Sequence, residues 1–160
     1  MALRLSNYRY GSKRRPGEGL RIGSARLLPR GVKKENYASQ DYMDVWLPTL
    51  APSRELLSWA HSHDVQDPKT WKTFAKRYRA EMGKTDARQT IRTLAEVAKR
   101  TPISVGCYCE SRHCHRFELE KLIRAETIGL DVGMSYATNQ NNLRIQIADF
   151  IEEKKSKPTA

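Results

Sequence analysis

The run Ile103-Ser-Val-Gly-Cys107 constrains the fold more than any other segment of this 160-residue chain. It is short and largely apolar, follows a proline and lies between two stretches with helical periodicity, so it predicts a buried strand. Strands separated by long helical stretches need crossover connections, which are typical of parallel α/β sheets. In such sheets, ligands bind beyond the carboxyl ends of the strands. The end of this strand is therefore the first place to look for a site.

Three helices are predicted before this strand and one after it. Ser53 is a suitable N-cap for the first, and Asp67 followed by Pro68 opens the second. The third covers residues 87–100, and the fourth runs from Cys114 to about residue 125. The second helix carries an apolar stripe at helical spacing, formed by Trp71, Phe74, Ala75 and Tyr78.

The N-terminal part predicts two strands around a Gly- and Pro-rich turn. The second of them alternates over residues 20–28 and stops at the turn Pro29-Arg30-Gly31. Residues 44–48 are interpreted as an apolar bridge to the helices. We expect an α/β fold: a single compact domain with a short, mostly parallel sheet covered by helices and a helical C-terminal extension.

The last part of the chain predicts less regular structure. Residues 129–142 are rich in loop-forming residues, and residues 143–151 favour a C-terminal helix. The predicted division is an α/β domain over residues 1–125, an extension packing on it over 126–153, and a polar tail over 154–160.

Charge is the main compositional signal. The chain has 29 Lys and Arg against 18 Asp and Glu, a net charge of +11. The positive electrostatic potential of such a chain attracts phosphates, so the predicted partner is a phosphate-bearing small molecule or a nucleic acid. A signal peptide and a membrane-spanning run are both missing from the sequence, which predicts a cytoplasmic protein without a membrane partner. In that compartment cysteines are expected as thiols.

All three cysteines fall within residues 107–115, at the predicted strand–helix junction. The strand is predicted to extend over residues 103–109, with Cys107 and Cys109 on the same face. Cys107 continues the apolar face and is interpreted as core, whereas Cys109 lies at the strand end. A disulfide between them is disfavoured, because the expected separation of about 6.6 Å is near the limit for such a bond. Cys114 and His115 begin the next helix, where the helix dipole stabilises a thiolate and Arg116 binds an anion.

Three chemistries fit this tract, and the sequence leaves them open. A thiol enzyme would use Cys109 or Cys114 as the nucleophile and His113 or His115 as the base. A zinc site would draw on those same cysteines and histidines, although zinc ligands usually come from two separated pairs. An anion-binding loop at the helix N-terminus would use Arg30, Arg112 and Arg116. The leading interpretation is an anion- or nucleotide-binding pocket lined by these Arg, Cys and His residues, with a thiol-dependent enzyme as one form of it. The alternatives are a non-enzymatic nucleic-acid-associated module and a small Cys/His metal site, and the sequence does not decide whether the protein is an enzyme.

Several segments resemble the YeaO-like proteins of domain-of-unknown-function family 488. They are residues 28–32, 44–53 and 71–81, together with Cys107-Tyr-Cys109-Glu110 and Cys114-His115-Arg116. The resemblance covers about residues 1–125. It departs at Leu28, where members of the YeaO type often carry Trp, and it does not extend past residue 125.

The resemblance implies a compact α/β protein but no particular activity. It favours one cluster that contains Arg26, Arg30, Cys109, Cys114, His115 and Arg116, and it adds Arg26 to the candidate anion-binding arginines. It also covers Asp44, Trp46, Tyr78 and Glu81. Of these, Trp46 and Tyr78 are predicted to lie in the core, and Glu81 is a candidate to pair with an arginine.

Overall fold

Four strands and four helices follow one another in a computed structural model that describes residues 3–131. The chain begins with two strands, continues through a third strand and three helices, and ends with the fourth strand and the fourth helix. The strands are β1 Leu5–Arg9, β2 Leu20–Gly23, β3 Val45–Trp46 and β4 Ile103–Cys107. The helices are α1 Arg54–His61, α2 Pro68–Met82, α3 Thr85–Arg100 and α4 His115–Asp131.

The helix starts follow the capping residues of the sequence. The Ser53 side chain accepts a hydrogen bond from the Leu56 amide, and Asp67 accepts one from the Thr70 amide. Each cap satisfies an amide that has no partner within its helix. The predicted starts of α1 and α2 are therefore confirmed.

The sheet is parallel throughout, in the order β1-β4-β2-β3. β4 is central, which agrees with its burial along its whole length. β1 and β2, which were predicted around a turn, do not pair with each other, because β4 lies between them. The α/β class with a parallel sheet is confirmed.

Three strand predictions are corrected. β2 ends at Gly23 rather than residue 28, and β4 ends at Cys107 rather than Cys109. β2 stops early because the chain turns toward the helices, where the Arg26 guanidinium donates to the carbonyls of residues 51 and 52. Residues 45–46, predicted as part of a bridge, form the edge strand β3.

The two faces of the sheet are covered differently. On the helix-packed face, Leu5, Ile22, Ile103 and Val105 join a large apolar cluster with the helices. The residues that alternate with them along the strands point to the opposite face, which is covered by loops. These residues are Tyr8, Arg21, Ser104 and Gly106. The prediction that helices cover the sheet therefore holds for one face.

Arg21 is the centre of the loop-covered face and is completely buried. It forms an ion pair with buried Glu18, with Nη2 3.0 Å from Oε2. Its guanidinium lies 4.3 Å from the centre of the Tyr8 ring. Gly106 makes room for that ring, since a Cβ there would lie 2.2 Å from it.

Residues 1–127 form one compact unit. The predicted boundary at residue 125 stays a prediction, as do the extension over 126–153 and the tail over 154–160, most of which lie outside the described residues. The predicted loop from residue 129 begins within α4, and the predicted helix over 143–151 lies outside the described part. Among residues 3–131, none of the helices combines the length and apolarity of a bilayer-crossing segment.

Candidate functional site

The cysteine tract occupies the carboxyl end of the central strand. Cys107 is the last residue of β4, and α4 begins at His115, so residues 108–114 form the connecting loop. Because all strands are parallel, the ends of β1 and β2 reach the same edge. This is the position that the sequence predicted for the tract.

Three free thiols meet at this edge. Cys107 and Cys114 are buried, whereas Cys109 is exposed. The Sγ atoms of Cys107 and Cys109 are 3.8 Å apart. Buried Cys107 agrees with its predicted core position, and the two buried thiols pack with Tyr8 and Tyr10.

The thiols are not equivalent as acids. Hydrogen bonds from the Cys107 and Cys114 thiols lower the pKa of Cys109, and the positive charge of Arg116 acts in the same direction. The hydrogen bond that Cys107 shares with Cys109 raises the pKa of Cys107. The pKa of Cys114 is raised as well, first by its hydrogen bond with Cys107. The arrangement therefore concentrates negative charge on the exposed sulfur.

His115 is held in one orientation at the start of α4. Its Nε2 lies 2.9 Å from the Ser24 carbonyl oxygen and 3.1 Å from the Ser24 hydroxyl. Since a carbonyl only accepts, we assign the ring proton to Nε2, which leaves Nδ1 as an acceptor 4.0 Å from the Cys114 Sγ. Burial lowers the pKa of His115 to about 4. The imidazole is therefore neutral at pH 7.

A metal-ligand geometry exists within the same cluster. The Sγ atoms of Cys107 and Cys114 and a ring nitrogen of His115 all lie within 4.8 Å of one another. Thiolate and imidazole are the ligands that zinc favours, and a ligating histidine usually donates its other ring N–H to an acceptor such as a carbonyl. The sequence interpreted Cys107 as core only. Its position on the same strand face as Cys109 was the signal that could have included it.

His113, a predicted alternative ligand and base, is held elsewhere. Its Nδ1 lies 2.8 Å from the Val65 carbonyl oxygen, and its ring stacks on Trp71 with the centroids 5.0 Å apart. Within residues 3–131 it is not part of the Cys/His group. It links the loop to the start of α2.

The arginines predicted to bind an anion lie in different surroundings. Arg116 is buried and donates to the Cys109 carbonyl oxygen, and its Nη1 is 4.0 Å from the Cys114 Sγ. Its charge therefore supports the thiols and the loop that carries them. Arg26 donates 2.9 and 3.0 Å hydrogen bonds to the carbonyl oxygens of residues 52 and 51.

Arg30 and Arg112 are both exposed. Arg30 lies close enough to the tract for its positive charge to lower the pKa of Tyr108. Burial has the larger effect and raises the pKa of Tyr108 to about 12. These two side chains are the ones in the predicted anion-binding set that face solvent.

The residues noted from the resemblance have mixed outcomes. Tyr78 is fully buried and its hydroxyl donates to the Leu50 carbonyl oxygen, so its core prediction is confirmed. The core prediction for Trp46 is wrong: it lies on edge strand β3 and is 37% exposed, with its indole N–H donating to the Ala25 carbonyl oxygen.

Glu81 and Asp44, the two carboxylates among the residues noted from the resemblance, form hydrogen bonds within the fold. Glu81 does not pair with an arginine among the described contacts; it accepts hydrogen bonds from the amide and hydroxyl of Ser53. Asp44 pairs with Arg14 through two 2.9 Å hydrogen bonds and accepts another from the Arg21 amide.

The chain belongs to the DUF488-N3a family, described as the active DUF488-N3 subclade, which it matches over residues 5–127. The resemblance inferred from the sequence motifs is therefore confirmed. The match covers the sheet, the helices α1 to α3 and the cysteine tract.

Two relatives illustrate the range of similarity. An uncharacterised protein of Mycobacterium tuberculosis (strain H37Rv) is 28% identical over 98 residues, which is 61% of this chain and 76% of the relative. The uncharacterised protein YeaO of Escherichia coli (strain K12) is 34% identical over 88 residues, which is 55% of this chain and 68% of YeaO. No solved structure matches the chain.

Proposed function

We propose that the protein is a thiol-dependent enzyme in which Cys109 is the nucleophile. The observation that carries this proposal is the arrangement of the three thiols: one exposed sulfur at the carboxyl end of the central strand, 3.8 Å from a second sulfur that is buried. An exposed thiol with hydrogen-bond donors behind it is suited to react as a thiolate.

The surrounding groups have supporting roles. Cys107 and Cys114 donate their S–H groups toward Cys109, and Arg116 adds positive charge beside the loop. His115 is a positioning residue, because Ser24 fixes its Nε2 and its Nδ1 lies 4.0 Å from the Cys114 sulfur. Its neutral, buried ring is not suited to act as the base at pH 7. The thiolate would instead be present before the substrate binds.

The proposed substrate is anionic and carries an electrophilic atom. Exposed Arg112 within the loop, and exposed Arg30 whose charge acts on Tyr108 of the loop, provide the attraction for an anion. In the reaction, the Cys109 sulfur forms a bond to the electrophilic atom as the bond to the leaving group breaks, and the leaving group departs with the electron pair. The oxygen of a water molecule then bonds to the electrophilic atom as the bond to sulfur breaks, the proton passes to solvent, and the thiolate is regenerated. The description of the subclade as active is consistent with catalysis.

Alkylation rates test the proposal. The wild-type protein is treated with iodoacetamide at pH 7, and the labelled cysteine is identified by peptide mass spectrometry. We expect Cys109→Ser to abolish fast labelling. Cys107→Ser should retain it at Cys109, because the serine hydroxyl can still donate toward the Cys109 sulfur. Equal labelling rates in both variants, or a Cys109 that reacts no faster than free glutathione, would contradict the proposal.

A second candidate function, a zinc centre, is favoured by the grouping of Cys107, Cys114 and His115 ligand atoms within 4.8 Å. Zinc bound there would polarise a substrate or stabilise the loop. Elemental analysis of untagged protein separates the two candidates. Stoichiometric zinc, together with labelling of the cysteines that begins only after chelation, would replace the thiol proposal with the metal centre.

A further inference from the structure

The exposed Cys109 thiol has a second thiol directly behind it. The Sγ of buried Cys107 lies 3.8 Å from the Sγ of Cys109, and both residues are free thiols. One sulfur of this pair is therefore open to solvent, whereas the other is shielded by the protein. Thiols that undergo reversible oxidation are commonly arranged in this way, with an accessible cysteine beside a resolving cysteine that captures its oxidised form.

The end of β4 allows the two sulfurs to meet. The strand stops at Cys107, so Cys109 lies in the connecting loop and not on an extended strand, where the two residues would stand about 6.6 Å apart. Residues 108–110 are all exposed, so the loop can bring the Cys109 sulfur closer to Cys107 without displacing a buried side chain. The sulfurs are already in contact, and a bond between them needs no opening of the core.

Cys114, the third thiol, is held by other groups. It lies within hydrogen-bond reach of Cys109, but its Sγ is also 4.0 Å from Nδ1 of His115 and 4.0 Å from Nη1 of Arg116. The residues just before it are fixed by hydrogen bonds to the segment that precedes α2. Cys107 is therefore the better placed partner for Cys109, and Cys114 is the matched control.

We propose that Cys109 and Cys107 form a reversible dithiol–disulfide couple that reduces hydroperoxides. The couple rests on the proposed function, because the same Cys109 sulfur reacts. In the first step this sulfur attacks the terminal oxygen of the hydroperoxide as the O–O bond breaks. The alcohol, or water in the case of hydrogen peroxide, leaves with the electron pair and takes a proton from solvent. Cys109 is then a sulfenic acid.

The second step uses Cys107. Its sulfur attacks the Cys109 sulfur, the S–O bond breaks, and the hydroxyl departs as water with the Cys107 proton. The two thiols have together lost two electrons, which the hydroperoxide has gained. The new bond encloses a single residue and lies next to solvent, and strained or exposed disulfides are the readily reduced ones, so two equivalents of a small thiol restore the pair. While the disulfide lasts, the nucleophile of the proposed function is blocked.

Oxidation of the full-length protein by hydrogen peroxide tests the couple. Reduced protein receives one equivalent of hydrogen peroxide, the remaining thiols are blocked with N-ethylmaleimide, and the protein is digested with trypsin. The digest places Cys107 and Cys109 in one peptide, residues 101–112, and Cys114 in another, residues 113–116. We expect the free-thiol count to fall from three to one. The first peptide should be unblocked and lighter by two hydrogen atoms than its reduced form, and the second should be blocked.

Two variants separate the roles of the buried thiols. In Cys107→Ser the sulfenic acid has lost its partner, so dimedone should trap it at Cys109 as the main product, whereas wild type should give little adduct. Cys114→Ser, which removes the other buried thiol of the cluster, should still form the disulfide. A cross-link between the two peptides, or equal dimedone adducts in wild type and Cys107→Ser, would overturn the inference.

Iodoacetamide labelling of the same preparation distinguishes this inference from the proposed function. Fast labelling at Cys109 in a protein whose three thiols all survive peroxide would overturn the couple and leave the nucleophile in place. Labelling no faster than that of free glutathione would contradict the proposed function, and the couple with it. The wild-type peptide map needs no substitution, so the result does not depend on how well either variant folds.

Discussion

The helix-packed face and the loop-covered face belong to the same sheet and are both buried, yet they are built from different groups. The helix-packed face consists of aliphatic side chains in contact with the helices. The loop-covered face holds an Arg–Glu ion pair and tyrosines, and the tyrosines pack with Cys107 and Cys114 in one cluster. One face supplies stability through apolar burial, and the other extends into the candidate site.

The difference also appears in hydrogen bonding. Among the described residues, the buried side-chain polar atoms without a hydrogen-bond partner lie on the loop-covered face or at the cysteine edge. They are Tyr8 Oη, Glu18 Oε1, Arg21 Nε, Ser104 Oγ and Arg116 Nε. Such atoms cost stability, so they are found where another requirement outweighs it. Functional sites commonly contain such groups, and the local fold is less stable as a result.

Removing one partner of the buried ion pair should have the largest effect. Glu18→Gln leaves the partly exposed Asp41 carboxylate, 3.7 Å from Nη1, as the remaining ion-pair partner of buried Arg21. The loss of the buried carboxylate should cost about 4 kcal/mol of unfolding free energy. The double variant Glu18→Leu/Arg21→Met removes both charges and should be much closer to wild type. Urea denaturation measures both. A loss below about 1 kcal/mol for Glu18→Gln would show that the two faces do not differ in this respect.

Truncation on the helix-packed face should cost slightly less and leave the site intact. Ile103→Ala removes fully buried methyl groups and should lower the unfolding free energy by about 3 kcal/mol. Because Ile103 lies four residues before Cys107, labelling of Cys109 by iodoacetamide in the folded protein should keep its wild-type rate. A changed labelling rate at equal folded fraction would contradict the separation of the two faces.

Adding one methyl group to the loop-covered face should disturb both stability and site. In Gly106→Ala the new Cβ would meet the Tyr8 ring at 2.2 Å, and overpacking of this kind costs about 2 kcal/mol. The displaced ring packs in the cluster that contains Cys107, so Cys109 labelling should change as well. Gly83→Ala is the control, since its nearest contact would be 3.3 Å from a backbone oxygen. Equal effects of the two substitutions would argue against a close Tyr8–Gly106 contact.

The smallest expected effect is on the pH dependence of stability. Burial alone would raise the pKa of Asp44, but its hydrogen bonds with Arg14 and the Arg21 amide outweigh burial and lower the pKa below 3.8. The resulting stabilisation is present above the unfolded-state pKa and is lost as the pH falls through the lower folded-state pKa. The stability difference between wild type and Asp44→Asn should therefore shrink below about pH 4. A difference that stays constant down to pH 2 would be incompatible with this assignment.

The helix-packed face was predictable from sequence because it follows local periodicity. The stripe on α2 and the caps at Ser53 and Asp67 depend on neighbours a few residues away. The loop-covered face was not predictable, because Arg21 and Glu18 look like surface charges until β4 and the loops enclose them. The order of strands was unpredictable for the same reason. β1 and β2 follow each other in the sequence, but β4, which lies between them in the sheet, comes 80 residues later.

The candidate site was predictable in position but only partly in composition. Cys109, Cys114 and His115 follow from the strand end and helix start. The contribution of Cys107 and the turn of His113 toward Val65 depend on side-chain contacts across the loop, which spacing does not encode. Arg26 looked like an anion ligand, but its donors face the carbonyls of residues 51 and 52.

The central claim is that one of the three clustered thiols reacts and the other two support it. Intact-mass spectrometry of native wild-type protein after brief treatment with excess iodoacetamide tests this most directly. The structure leads us to expect a single adduct, located at Cys109 by peptide mapping, with Cys107 and Cys114 labelled only after unfolding. Adducts distributed evenly over the three cysteines, or a first adduct at Cys107 or Cys114, would contradict the claim.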